Sequence, residues 1–139
     1  MIRVLIAEDN DLVRSSLKNL LESEGDIQIV DEAVDGQEAL EKLNRIKPDV
    51  LLTDLNMPRI DGYQLIQTLF KRTSEVPVVV LSALSSTPHV IKAFQAGASG
   101  FLVKDSSADE LLFAIRHIAQ GGQYLSAQVS IPVLMSQFE

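Results

Sequence analysis

Three runs of the chain, RVLIA (3–7), DVLLT (49–53) and VPVVVLS (76–82), are nearly unbroken apolar stretches of strand length. Runs this short and this apolar fit strands covered on both faces, the kind found in parallel sheets flanked by helices. A further run, IQIVDEA (27–33), alternates apolar with polar residues as an edge strand does. The predicted strands are Arg3–Ala7, Ile27–Glu32, Asp49–Thr53, Val76–Ser82 and Gly100–Val103.

Helical patterns fill the intervals. The first is expected over Asp11–Glu24, with Val13, Leu17, Leu20 and Leu21 on one face and Gly25 as its stop. The second opens at DGQEAL, with Asp35 as cap and Glu38 closing a capping box, and ends before Pro48. The third opens at DGYQLI with a box from Asp61 and Gln64, and turns Leu65, Ile66, Leu69 and Phe70 inward. The fourth has Thr87 as cap and Pro88 at its first position, closing at AGASG. The fifth has a box from Ser107 and Glu110, a stripe of Leu111, Ile115 and Ile118, and a stop at Gly121 and Gly122.

Five strand–helix units in succession predict an α/β fold with a parallel, doubly wound sheet. The 139 residues, 46% hydrophobic and 22% charged, suffice for one such domain and its core. Residues 1–122 form the domain. Residues 123–139 fall outside the pattern as a tail or linker, with Val129, Ile131, Val133, Leu134 and Met135 available to pack on something.

Ligand sites in sheets of this kind lie beyond the carboxyl ends of the strands. Glu8, Asp9 and Asn10 follow the first strand, and Asp54 and Asn56 follow the third in LLTDLNMPRIDG. Ser82 ends the fourth strand, and Lys104 follows the fifth. Each has a bland reading when taken singly. Asp54 closes a strand, Glu8 and Asp9 favour a helix N-terminus, and Lys104 is a solvated charge. Taken together, three carboxylates, a hydroxyl and an ammonium converge on one rim. Such a cluster of acids suits a hard divalent cation, and Mg²⁺ takes a few carboxylates while keeping waters that a phosphate can displace. One carboxylate can then attack phosphorus to form an aspartyl phosphate, with the metal, lysine and hydroxyl neutralising the transferring group. Asp54, on the strand flanked by the other loops, is the expected nucleophile. Glu8 and Asp9 are expected to hold the metal.

Charge and composition exclude other classes. Twelve basic against nineteen acidic residues give a formal charge of −7, which repels nucleic-acid and anionic membrane surfaces. With no cysteine there is neither a disulfide nor a thiolate metal site, in keeping with a reducing compartment. The N-terminal MIRVLIAEDN is too short in apolar residues for a signal peptide, and no segment approaches the roughly 20 apolar residues of a membrane span. A cytoplasmic protein is expected.

The motifs IAEDN, LLTDLNMPRIDG, VVVLSAL and GASGFLVKD closely resemble the receiver domain of bacterial two-component response regulators. The resemblance covers about residues 2–122, and GFLVKDSSADELLFAIRHIAQGGQYLS is similar to receivers attached to LuxR-type helix-turn-helix output domains. It implies a flavodoxin-like (βα)5 fold with five strands in the order 2-1-3-4-5. It also implies a phosphoryl group accepted from a sensor histidine kinase. On this resemblance Asp54 is the phosphoacceptor, Asp9 and Asp54 ligate Mg²⁺, the Asn56 carbonyl completes the set, and Glu8 contributes through water. Ser82 is the switch hydroxyl, Phe101 the switch aromatic and Lys104 the phosphate-binding cation. The implied protein acts on no substrate but itself, catalysing only its own phosphorylation and dephosphorylation. Its expected output is a homodimer, with DNA bound only through a C-terminal helix-turn-helix domain that would follow this chain.

Departures from the family pattern bear on mechanism. The acid pair is Glu-Asp rather than Asp-Asp. Phe101 lacks the hydroxyl of the usual tyrosine, so burial alone would drive its inward swing. Asp105 stands where a proline often follows the lysine, which leaves the geometry of that bond open. Asn56 and Leu84 each lie two positions past a site residue and are expected to flank the phosphoryl group. An apolar Leu84 cannot orient a hydrolytic water, so a long-lived acyl phosphate is expected. His89 and His117 are read as surface residues. A phosphohydrolase with an aspartyl nucleophile would carry a second acid where Asn56 stands, and a nucleotide-binding module would need a glycine-rich loop that AEDNDLV lacks. A stand-alone receiver or relay intermediate is the alternative within signalling.

Overall fold

The computed structural model describes residues 1–83 and 86–126. Strands and helices alternate: β1 (Ile2–Ala7), α1 (Asp11–Glu22), β2 (Ile27–Ala33), α2 (Gly36–Leu43), β3 (Val50–Thr53), α3 (Gly62–Lys71), β4 (Val78–Ser82), α4 (Thr87–Ala96), β5 (Gly100–Val103), α5 (Ala108–Ala119) and β6 (Tyr124–Leu125). All pairings are parallel, in the order β2-β1-β3-β4-β5-β6. The apolar runs are the inner strands, and every residue of β3, β4 and β5 is buried. Alternating IQIVDEA is an edge, as its pattern requires.

The two-residue period of the strands divides the core between two faces. Leu5, Leu51, Val80 and Phe101 pack in one cluster with Leu65, Ile66 and Val90 from α3 and α4. Val4, Ile6, Leu52, Val79 and Leu102 pack in the other with Leu21 of α1 and Ile115 and Ile118 of α5. Helices on both faces leave the strand ends as the places where polar side chains can gather. Among the described residues no helix is long and apolar enough to cross a membrane.

Among the described residues the sheet has six strands, not five. The short β6, within the segment expected to lie outside the pattern, pairs through Gly100↔Tyr124 and Phe101↔Leu125. Tyr124 N–H donates to the Ser99 carbonyl at 3.0 Å and Ser126 N–H to the Phe101 carbonyl at 2.9 Å. Two residues are too few to show a period, which is why the strand escapes a reading by pattern.

Several local expectations are corrected. Phe70 is 69% exposed rather than inside. At about 100° per residue it falls outside the face centred on Leu65 and Leu69, and its ring lies over Gly97, where an added Cβ would meet it at 3.1 Å. Ser86, not Thr87, is the cap of α4; its hydroxyl bonds the His89 ring nitrogen, and no side chain caps the helix. The capping box of α3 forms in full, but those of α2 and α5 form only in half. Asp35 and Ser107 accept their N–H bonds, while Glu38 turns to Lys42. Glu110 accepts from the Tyr124 hydroxyl and the Ser126 hydroxyl, each at 3.0 Å, which ties β6 to α5. His117 is exposed and stacked on Phe113, whereas His89 is half-buried. No cis peptide bond occurs among the described residues, so Lys104–Asp105 is trans. Leu84 and the tail residues 127–139 lie outside the described residues.

Candidate functional site

β1, β3, β4 and β5 end on the same edge because they run parallel, and their ends carry the residues expected there. Ala7 pairs with Thr53, and Ser82 with Val103. Glu8, Asp54 and Lys104 therefore each sit one position past a strand end on that edge, with β4 between the strands that bear Asp54 and Lys104. Asp54 N–H donates to the Ala7 carbonyl at 3.2 Å, and Lys104 N–H to the Ser82 carbonyl at 3.0 Å.

The Lys104 ammonium makes the central contact. Its Nζ lies 2.8 Å from Glu8 Oε1 and 2.8 Å from Asp54 Oδ2, joining positions 96 and 50 residues away in sequence. Both acids are buried, with side chains 3% and 10% exposed. Asp9 is exposed and completes the cluster; Glu8, Asp9 and Asp54 each offer an oxygen within 4.8 Å of the others. Burial pushes the Glu8 carboxyl above its ordinary pKa, against the pull of Lys104 and the Asn10 N–H. Burial also works against the Lys104 ammonium, but Asp54 and Glu8 together outweigh it and hold its pKa above the usual lysine value.

Backbone groups fix the Asp54 carboxylate from the other side. Its Oδ1 accepts from Leu55 N–H at 2.7 Å and from Asn56 N–H at 3.4 Å. Thr53 Oγ1 donates to the Asp54 carbonyl at 2.9 Å. The sharp return of the chain into α3 needs Gly62, since a Cβ there would lie 2.3 Å from the Asp54 carbonyl oxygen. Asn56 is exposed at the rim, and Ser82 is buried at the end of β4. Phe101 is fully buried on β5 beside Val80, so its ring already occupies the interior.

Two features of the site escape the sequence reading. Arg59, at φ 65°, grips Asp35 with Nε–Oδ2 at 2.7 Å and Nη2–Oδ1 at 3.0 Å, clasping the β3–α3 loop to the start of α2. The α1 cap is Asn10, whose side chain accepts from Val13 N–H, while Glu8 Oε2 accepts from Asn10 N–H. Glu8 is thus held by the cap residue rather than serving as the cap.

The donor set fits a divalent cation on chemistry: three clustered carboxylates face one ammonium, so negative charge remains uncompensated. Fold and site together define a doubly wound α/β protein with an acidic pocket at the carboxyl edge of its sheet. The family model described as response regulator receiver domain matches residues 4–116, and the chain belongs to that family, the receiver domains of two-component response regulators. It is 36% identical over 129 residues to the transcriptional regulatory protein DegU of Brevibacillus brevis, covering 93% of this chain and 55% of that one. It is 34% identical to response regulator GacA of Pseudomonas viridiflava, covering 100% of this chain and 65% of that one. The chain therefore spans between 55% and 65% of the length of these relatives. Among solved structures, the receiver domain of a putative response regulator NarL from Mycobacterium tuberculosis matches with TM-score 0.83 and 36% identity. That match covers 86% of this chain and 97% of the other. A LuxR-family two-component response regulator from Aurantimonas sp. SI85-9A1 matches with TM-score 0.95 and 26% identity, over 100% of this chain and 99% of the other.

Proposed function

We propose that Asp54 accepts a phosphoryl group from the phosphohistidine of a sensor kinase and that this domain acts as the switch of a transcription regulator. The observation that carries the reading is the shared ammonium: Lys104 Nζ lies 2.8 Å from both Glu8 and Asp54, with Asp9 in the same cluster. Asp9 and Asp54 would hold Mg²⁺ with the Asn56 carbonyl, and Glu8 through water. When bound, the cation supplies charge neutralisation for the incoming phosphoryl oxygens. A carboxylate oxygen of Asp54 attacks phosphorus, the donor's P–N bond breaks, and its electron pair returns to the imidazole. Lys104, already at the carboxylate, bonds a phosphoryl oxygen.

An apolar groove of about 400 Å³ runs beside the site, lined by Leu12, Val13, Leu17, Leu20 and Leu81 and ending at Lys104. It suits the approach of the kinase segment that bears the histidine. The added group brings about 1.5–2 negative charges. Ser82 then bonds a phosphoryl oxygen, and the buried position of Phe101 is the state favoured by that move. A few kcal/mol of preference tips such a two-state equilibrium. The domain catalyses only its own phosphorylation and dephosphorylation, and Leu84 slows the latter. Output runs through homodimerisation and through a helix-turn-helix domain beyond residues 123–139, in the cytoplasm with the kinase.

Incubation with a small phosphodonor and Mg²⁺, read by intact-protein mass spectrometry, tests the reading. Wild type should gain one phosphoryl group and Asp54→Asn none, with unchanged circular dichroism. A wild type that takes up nothing, or an Asp54→Asn protein that is still modified once, overturns it.

A further inference from the structure

Arg14 lies on α1 outside the acid cluster, its side chain only 15% exposed. Its guanidinium meets three acceptors from separate elements. Nη1 donates to the Glu8 carbonyl at 2.8 Å, Nη2 to Asp11 Oδ1 at 2.6 Å, and Nε lies 3.3 Å from Glu32 Oε1 on β2. The Glu8 carbonyl belongs to the rigid peptide plane that joins Glu8 to Asp9. Glu8 N–H, at the other side of the residue, donates to the Ala33 carbonyl at 2.9 Å. With both of its backbone groups tied, Glu8 cannot rotate, and the direction in which the chain presents Asp9 is set. Asp9 is the exposed acid of the cluster and has the most freedom to lose.

We propose that Arg14 is a positioning residue for the divalent cation: it orients the Glu8–Asp9 peptide so that both carboxylates converge with Asp54. The proposal rests on the Mg²⁺ reading of the site given above. A planar fork fixed by two carboxylates can hold a carbonyl in one orientation, which a flexible ammonium cannot. The sign of the effect separates this role from simple electrostatics. Arg14 is a positive charge beside an acidic site, so its removal should by charge alone tighten cation binding. Loss of positioning should loosen it.

Mg²⁺ alone, titrated into the full chain, provides the test, with calorimetry and the amide shifts of Asp9 and Asp54 as readouts. Arg14→Met keeps the apolar stem and removes the donors. It should bind Mg²⁺ about tenfold more weakly, the scale of loss when a group supporting a metal ligand is removed. Arg14→Lys should bind about threefold or more weakly, since one ammonium cannot serve all three acceptors. Melting in metal-free buffer checks that each variant is folded. A purely structural role lowers the melting temperature and leaves the affinity of the folded protein unchanged. Wild-type or tighter affinity in Arg14→Met overturns the proposal, as does wild-type affinity in Arg14→Lys should Arg14→Met not fold. Failure of wild type itself to bind Mg²⁺ would instead sink the reading of the site.

Discussion

Asp9 adds a charge where two buried carboxylates already compete for one ammonium. Two unit charges within 4.8 Å repel by about 1 kcal/mol in water and by more where the protein screens less. Asp9→Asn should therefore stabilise the metal-free domain by about 1 kcal/mol. The same change removes a ligand. Wild type should gain about 2.7 kcal/mol from Mg²⁺ at about a hundred times its Kd, and the variant little of it. Urea unfolding in chelator and in Mg²⁺ measures both, and the order of the two proteins should reverse between the buffers. Equal stabilities in chelator would show that the cluster stores no repulsion.

At the scale of elements, the loop after β3 is held to α2 by a clasp. Asp35 caps α2 through Glu38 N–H at 2.8 Å and meets Arg59 through both carboxylate oxygens. Gly36 packs so closely on Ile60 that a Cβ would lie 2.4 Å from its carbonyl oxygen. Arg59 holds a left-handed backbone, which costs a residue with a side chain about 1–2 kcal/mol. The Arg59 guanidinium, ahead of the opposing cost of burial, keeps the Asp35 carboxyl below the ordinary aspartate value. A depressed pKa stabilises the fold above the unfolded value, near about 3.9, and that contribution is lost as the pH falls through the folded value. Asp35→Asn keeps a capping oxygen and loses the charge. Its melting temperature should lie below wild type at neutral pH, and the gap should close as the pH drops below about 4. A gap constant down to acid pH would mean that the clasp contributes no ionic stability. This clasp also marks where sequence reading stops. Glu8, Asp9, Asp54, Ser82 and Lys104 were legible because apolar runs declare strands, and a parallel sheet gathers the residues at their carboxyl ends on one edge. Asp35 and Arg59 lie 24 residues apart, and Asp35 already has a sufficient local role as a cap, so nothing in the pattern pairs them. Glu110 hid in the same way: as a capping-box residue it looked complete, while the fold turned its carboxylate to β6.

For the whole molecule the governing quantity is the formal charge of −7. More than half of the basic residues that could offset it locally are committed. Arg14, Lys18, Lys42, Lys47, Arg59, Lys104 and Arg116, seven of the twelve, stand in ion pairs with acids. An acidic surface on which most cations are paired with acids has little with which to displace counterions from a phosphate backbone, and that displacement supplies non-specific DNA affinity. Lowering the salt strengthens DNA binding when cations make the contact; here it should strengthen repulsion instead. The chain by itself should therefore leave the anisotropy of a labelled DNA duplex unchanged at physiological ionic strength, and again when the salt is reduced severalfold. Phosphorylation adds negative charge and should not alter this. Binding that grows as salt falls would show that the cations outside these ion pairs, Arg3, Arg45, Lys71, Arg72 and Lys92, make a phosphate-binding surface. It would also remove the reason for assigning DNA contact to a separate output domain.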